Sequence, residues 1–78
     1  MNENAIVQFV KDRNDALFSL DEKKIRAYAE KYRVALPDND VAFWGGIYKA
    51  ICNITNAPKD VQDKARAWLK EHNMSETI

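Results

Sequence analysis

The sequence predicts an all-α protein, a compact four-helix domain with an apolar third helix at its centre. Two observations point there. Apolar residues recur at helical spacing through four stretches, divided by capping residues, proline or asparagine, and no stretch alternates as strands do. From Val41 to Asn56 the only charged residue is Lys49, so this stretch reads as the helix that the other three surround.

The first helix is expected from about Glu3 to Phe18. Ile6, Val10, Arg13 and Leu17 share one face with Phe9 at its flank, and Asn4, Gln8, Lys11, Asp12 and Asp15 form a solvated face. Ser19-Leu20-Asp21-Glu22 fits a capping box, in which the Ser19 hydroxyl takes the Glu22 amide and the Glu22 carboxylate reaches back. A second helix then runs to about Arg33 on Ile25, Tyr28, Ala29 and Tyr32, and Pro37 ends the pattern. Asp38, Asn39 or Asp40 caps the third helix, which continues to about Thr55. Its apolar arc is Trp44, Ile47, Tyr48, Ile51 and Ile54. Ala42, Gly45, Gly46, Lys49, Ala50 and Asn53 lie opposite, a stripe of mostly small residues that lets another backbone approach. Two glycines inside a helix cost about 1 kcal/mol each relative to alanine, which implies a packing reason or a kink. Pro58 suits the first turn of a fourth helix ending near His72, and Asn73 suits a left-handed close. Val61, Ala65, Trp68 and Leu69 form its inner stripe, and residues 74–78 are expected to fray.

At 78 residues the chain is expected to be one domain. With Cys52 its only cysteine, no internal disulfide is possible, so stability must come from packing. Eight aromatic residues support that, the two tryptophans each able to bury roughly 200 Å². Twelve basic residues balance twelve acidic ones, which gives neither the field of a nonspecific nucleic-acid binder nor the acidity of a DNA mimic. An early acid and charges after a broken apolar stretch are unlike a secretory signal, and no run suffices to cross a bilayer, so a cytoplasmic location is expected.

Catalytic chemistry finds no residue set. His72 is the only histidine and sits where a cation meets the terminal carbonyls of a helix. Cys52 flanks the apolar arc, where burial raises a thiol's pKa. One Cys and one His cannot build a structural zinc site. Asp38-Asn39-Asp40 starts like a calcium loop, but Phe43 occupies the glycine position. Gly45-Gly46 lacks the lysine and hydroxyl of a phosphate loop. The expectation is therefore no enzyme, no cofactor and no metal. Two binding surfaces remain. The small-residue face of the third helix suits a protein partner or self-association. Lys23, Lys24, Arg26, Lys31 and Arg33 give the second helix a modest positive excess that suits phosphate contacts. The second and third segments resemble a helix-turn-helix in outline, yet the third offers base edges only Lys49 and Asn53.

Taken together, Arg13-Asn14, Ala16-Leu17, Ser19-Leu20-Asp21, Lys24-Ile25, Tyr28, Lys31-Tyr32, Pro37, Phe43-Trp44-x-Gly46, Lys49-Ala50 and Trp68-Leu69 make a pattern over most of the chain. It resembles small uncharacterised proteins encoded in phages and prophages of Firmicutes, in which a histidine often stands where this chain has Tyr48. The resemblance implies a mobile-element origin and a bacterial cytoplasm, and it supplies no mechanism. Small phage proteins of this kind often bind a host or phage protein, inhibitors of host defence among them. The expected function is thus a helical protein-interaction module, an inhibitor or a small assembly factor, with nucleic-acid binding through the second helix as the alternative.

Overall fold

The computed structural model describes residues 3–77, with side chains from Asn4 onward. Among the described residues all regular structure is helical: α1 (Glu3–Ser19), α2 (Glu22–Tyr32), α3 (Asp40–Cys52) and α4 (Lys59–Glu71). The all-α fold class expected from the sequence is the one observed. Contacts group the chain into two units, residues 1–35 and 36–78, each a pair of consecutive helices.

In the first unit, α1 ends where the Ser19 hydroxyl turns back to donate to the Ala16 carbonyl at 2.6 Å. That hydroxyl also accepts the Asp21 amide at 3.2 Å, so it is not the cap of α2. The expected capping box does not form. Leu20 takes a left-handed conformation (φ 54°) that reverses the chain, and Asp21 becomes the cap, accepting the amides of Lys23 (2.9 Å) and Lys24 (3.3 Å). Its extended backbone (φ −108°, ψ 115°) aims the carboxylate at the first turn. Glu22 pairs with Arg26 one turn on instead. At the other end Arg33 is left-handed (φ 56°), with Arg33 N–H bonded to the Glu30 carbonyl and Val34 N–H to that of Ala29.

Ala16, Leu17, Ile25 and Ala29 are buried, and Phe9, Tyr28 and Tyr32 pack ring against ring with centroids 4.9–6.0 Å apart. The apolar face of α1 departs from expectation toward its N-terminus. Ile6 is 52% exposed and Val10 37%, and Val7 beside them is 65% exposed. Helix length explains part of this. With 17 residues against 11, α1 is longer than α2 by about 9 Å at a rise of about 1.5 Å per residue. Tyr32, the last residue of α2, already lies level with Phe9 and Asp12, so Ile6 and Val7 lie past the end of α2.

In the second unit, Asn39 caps α3 by accepting the Ala42 amide at 3.0 Å. The buried arc is Phe43, Ile47, Tyr48 and Ile51, displaced from the expected one: Phe43 is enclosed and Trp44 is half-buried. The helix stops at Cys52 rather than near Thr55. There Asn53 donates from its side chain to the Lys49 carbonyl at 2.8 Å, and tighter backbone bonds, Asn53 to Ala50 and Ile54 to Ile51, end the helical ladder. Pro58 precedes α4, which buries Val61, Ala65 and Leu69. Asn73 is left-handed (φ 56°) as its sequence position suggests, and it closes α4 with the same two-bond pattern seen after α2. The tail expected to fray is tied down over residues 74–77 by contacts to both helices, while Ile78 lies outside the described residues. Ile25, Phe43, Ile51 and Leu69 are the largest fully buried side chains, each stabilising the fold by roughly 1.5–3 kcal/mol relative to exposure.

Because Asp21 and not Ser19 caps α2, Asp21→Ala is expected to cost about 1 kcal/mol of stability in urea unfolding. Glu22→Ala should cost less, and an equal loss would restore the capping box.

Candidate interaction surfaces

The small-residue face of α3 is only partly open. Ala42 and Gly46 are exposed, and Lys49 and Ala50 are half-buried. Gly45 is buried, because Met74 lies over it: a Cβ placed there would stand 2.6 Å from Met74 Cε and 3.3 Å from its Sδ, with Trp68 at 3.8 Å. A Cβ on Gly46 would meet nothing within 4 Å. Asn53 is exposed and donates to the Glu76 carbonyl at 2.8 Å. The face expected to receive another chain therefore carries this chain's own tail, and its central glycine belongs to the interior. The glycines do not interrupt α3, and neither has a positive φ.

Two of the five bases of α2 are held in ion pairs within the first unit. Arg26 bonds Glu22 at 2.8 Å, and Lys31 bonds Asp12 across the helix pair at 3.0 Å. Lys24 and Lys31 border a cavity of about 360 Å³ that Asp12 and Asp15 border as well, so two acids of α1 face two of the five bases. Lys23 and Arg33 are exposed.

Asp12 is the polar centre of that unit, although its sequence position placed it on a solvated face. Its carboxylate accepts from the Tyr32 hydroxyl at 2.5 Å, from Lys31 Nζ at 3.0 Å and from Gln8 Nε2 at 2.7 Å. These donors favour the charged form and hold Asp12 at a pKa of about 2, the Tyr32 bond having the largest effect. Reciprocally, the Asp12 bond raises the Tyr32 and Lys31 values. Only the Gln8–Asp12 spacing of four residues was visible in advance.

Three of the exposed large apolar residues lie on α1. Ile6, Val7 and Val10 are neighbours at helical spacing, and Ala5, Ile6, Phe9 and Tyr32 line an apolar recess of about 340 Å³ beside them. Scattered exposed apolar residues are ordinary, whereas three on adjoining positions beside a recess make a patch.

His72 Nδ1 lies 2.8 Å from the Trp68 carbonyl and its ring stacks on Trp68 at 3.8 Å, a helix-closing role. Trp68 continues through Tyr48 to Trp44 and Phe43 as a run of ring contacts between α4 and α3. The Cys52 thiol is half-buried, and burial pushes its pKa up, with Glu76 adding to the effect. Among the described residues no group of three or more histidine, cysteine or acidic side chains is placed to hold a metal ion, and no helix is long and apolar enough to cross a membrane. Comparison with protein families, characterised proteins and solved structures finds no match to the chain.

Two outcomes follow. Gly46→Ala should raise stability by about 1 kcal/mol in thermal unfolding, the helix-propensity difference, while Gly45→Ala should gain less because Met74 must move. For Asp12, the lowered pKa means that ionised Asp12 stabilises the fold fully above the ordinary carboxylate range. That contribution is lost as pH falls from about 4 through about 2. Melting curves across this interval should be steeper in pH for the native chain than for Asp12→Asn, and parallel curves would refute the link.

Proposed function

We propose that the chain is a helical protein-interaction module of phage or prophage type, an inhibitor of a host protein or a small assembly factor, that receives a partner's helix along the first turns of α1. The observation that carries this reading is the uncovered stretch of α1. Ile6, Val7 and Val10 are exposed toward its N-terminus, while Ala16 and Leu17 near its other end are buried, with the polar residues 11–15 between them. An added helix with an apolar stripe would bury Ile6, Val7 and Val10 by ordinary helix-on-helix packing. The recess beside Phe9 offers a seat for one aliphatic side chain of such a helix.

This reading takes the exposed patch of α1 as the binding surface in place of the small-residue face of α3 that the sequence suggested. Burial of Gly45 under Met74 is the reason. Nucleic-acid binding through Lys23, Lys24, Arg26, Lys31 and Arg33 has weaker support, since Arg26 and Lys31 are held in ion pairs with Glu22 and Asp12. A cytoplasmic setting and a host or phage protein as partner belong to the same proposal and draw on the phage-type sequence pattern.

The test compares the native chain with Val7→Asp, which changes a largely exposed side chain and should alter stability by less than about 0.5 kcal/mol. Proteins captured from a bacterial extract would be identified, purified and titrated calorimetrically against both chains. Affinity for the true partner should fall about tenfold or more when a charge enters the apolar contact. Equal affinities would remove α1 from the interface. Light scattering of the chain alone separates self-association from binding to another protein, and retardation of DNA or RNA at low salt that Val7→Asp leaves unchanged would favour the nucleic-acid reading.

A further inference from the structure

The second unit carries a segment that is seated on helices without being part of one. After α4 the left-handed Asn73 turns the chain, and Met74 N–H bonds the Leu69 carbonyl at 2.8 Å. This reversal brings the Met74 thioether over Gly45 and beside Trp68. Two residues on, the Glu76 carbonyl accepts from Asn53 Nδ2 at 2.8 Å and its carboxylate accepts from Arg66 Nε at 3.1 Å. The tail thereby joins the end of α3 to the middle of α4. The Cys52 thiol is half-buried close to the Glu76 carboxylate, which adds to burial in raising its pKa.

The attachments are few and mostly wet. Arg66, Glu76 and Asn53 are exposed, and ion pairs of that kind are worth little. A cavity of about 400 Å³ bordered by Arg66, Leu69, Lys70, Met74, Ser75 and Glu76 undercuts the segment. Only Met74 enters an apolar seat, and that seat exists because residue 45 has no side chain. Set against these contacts is the chain entropy of ordering residues 74–77, which grows with every residue fixed. Segments with so few buried contacts open locally, well before the helices they rest on.

We propose that Met74–Thr77 is a strap that opens while α3 and α4 stay folded, with Met74 in the Gly45 seat as its closing element and Cys52 and the small-residue face of α3 as what it uncovers. The hinge is Asn73, a residue type that adopts the left-handed conformation readily and holds it here.

The chain supplies its own reporter, since Cys52 is its sole thiol. Its alkylation by iodoacetamide at fixed pH would be timed in the native chain, Met74→Ala, Arg66→Ala and Gly45→Ala, each checked for helicity by far-ultraviolet circular dichroism. Met74→Ala should speed alkylation by about tenfold, the effect of losing one partly buried apolar side chain from a local opening equilibrium. Arg66→Ala, which cuts the outer attachment, and Gly45→Ala, which fills the seat, should speed it several-fold with helicity unchanged. Rates equal to the native one in all three variants would overturn the strap. So would acceleration only in step with lost helicity, because the tail would then be a part of the folded core. If Met74→Ala alone loses helicity, Arg66→Ala decides, its side chain lying on the surface.

Discussion

Helices of 11–17 residues do not persist in water on their own, so each one here depends on the apolar stripe that it lays against its partner. Every other feature of the molecule answers to that constraint. In the first unit α1 is longer than its partner, and Ile6 and Val7 toward its start are left facing solvent. In the second unit α3 and α4 are equal at 13 residues, and their stripes are matched by a run of aromatic rings. The difference between a satisfied and an unsatisfied helix pair is what singles out α1 as the surface with something still to bury.

The helices themselves were legible in the sequence because their signals are local. Asn39, Pro58 and Asn73 mark ends by side-chain chemistry that acts within one turn, and Ile25, Ala29, Val61, Ala65 and Leu69 repeat at the period of a buried face. The α1–α2 junction was misread because two residues two positions apart can both cap, and the choice between Ser19 and Asp21 turned on the backbone of Leu20, which no side-chain pattern announces. The end of α3 was overrun for a related reason. Ile54 continues the apolar period, yet the side chain of Asn53 competes for the backbone one residue earlier.

The candidate surfaces were less legible, since each depends on a contact between residues far apart in the chain. The stripe of small residues on α3 is present as written, but whether Gly45 is a docking point or a seat depends on Met74, 29 positions away. The solvated face of α1 hid Asp12, whose partners Lys31 and Tyr32 come from the next helix. Neutral overall charge likewise gave no hint that Lys31 would be paired with Asp12 of α1 and Arg26 with Glu22 of its own helix. Composition reports what a surface could attract, and pairing decides how much of that attraction remains.

Both glycines of the chain lie within α3, while among the described residues the three in the left-handed conformation, Leu20, Arg33 and Asn73, carry side chains. Glycine is thus absent from the bends where it would be cheapest and present where a helix is weakened by it. The bends must then be imposed by the helices they join, because leucine and arginine resist that conformation when left to themselves. A peptide spanning Leu20 or Arg33 alone would therefore not hold that bend.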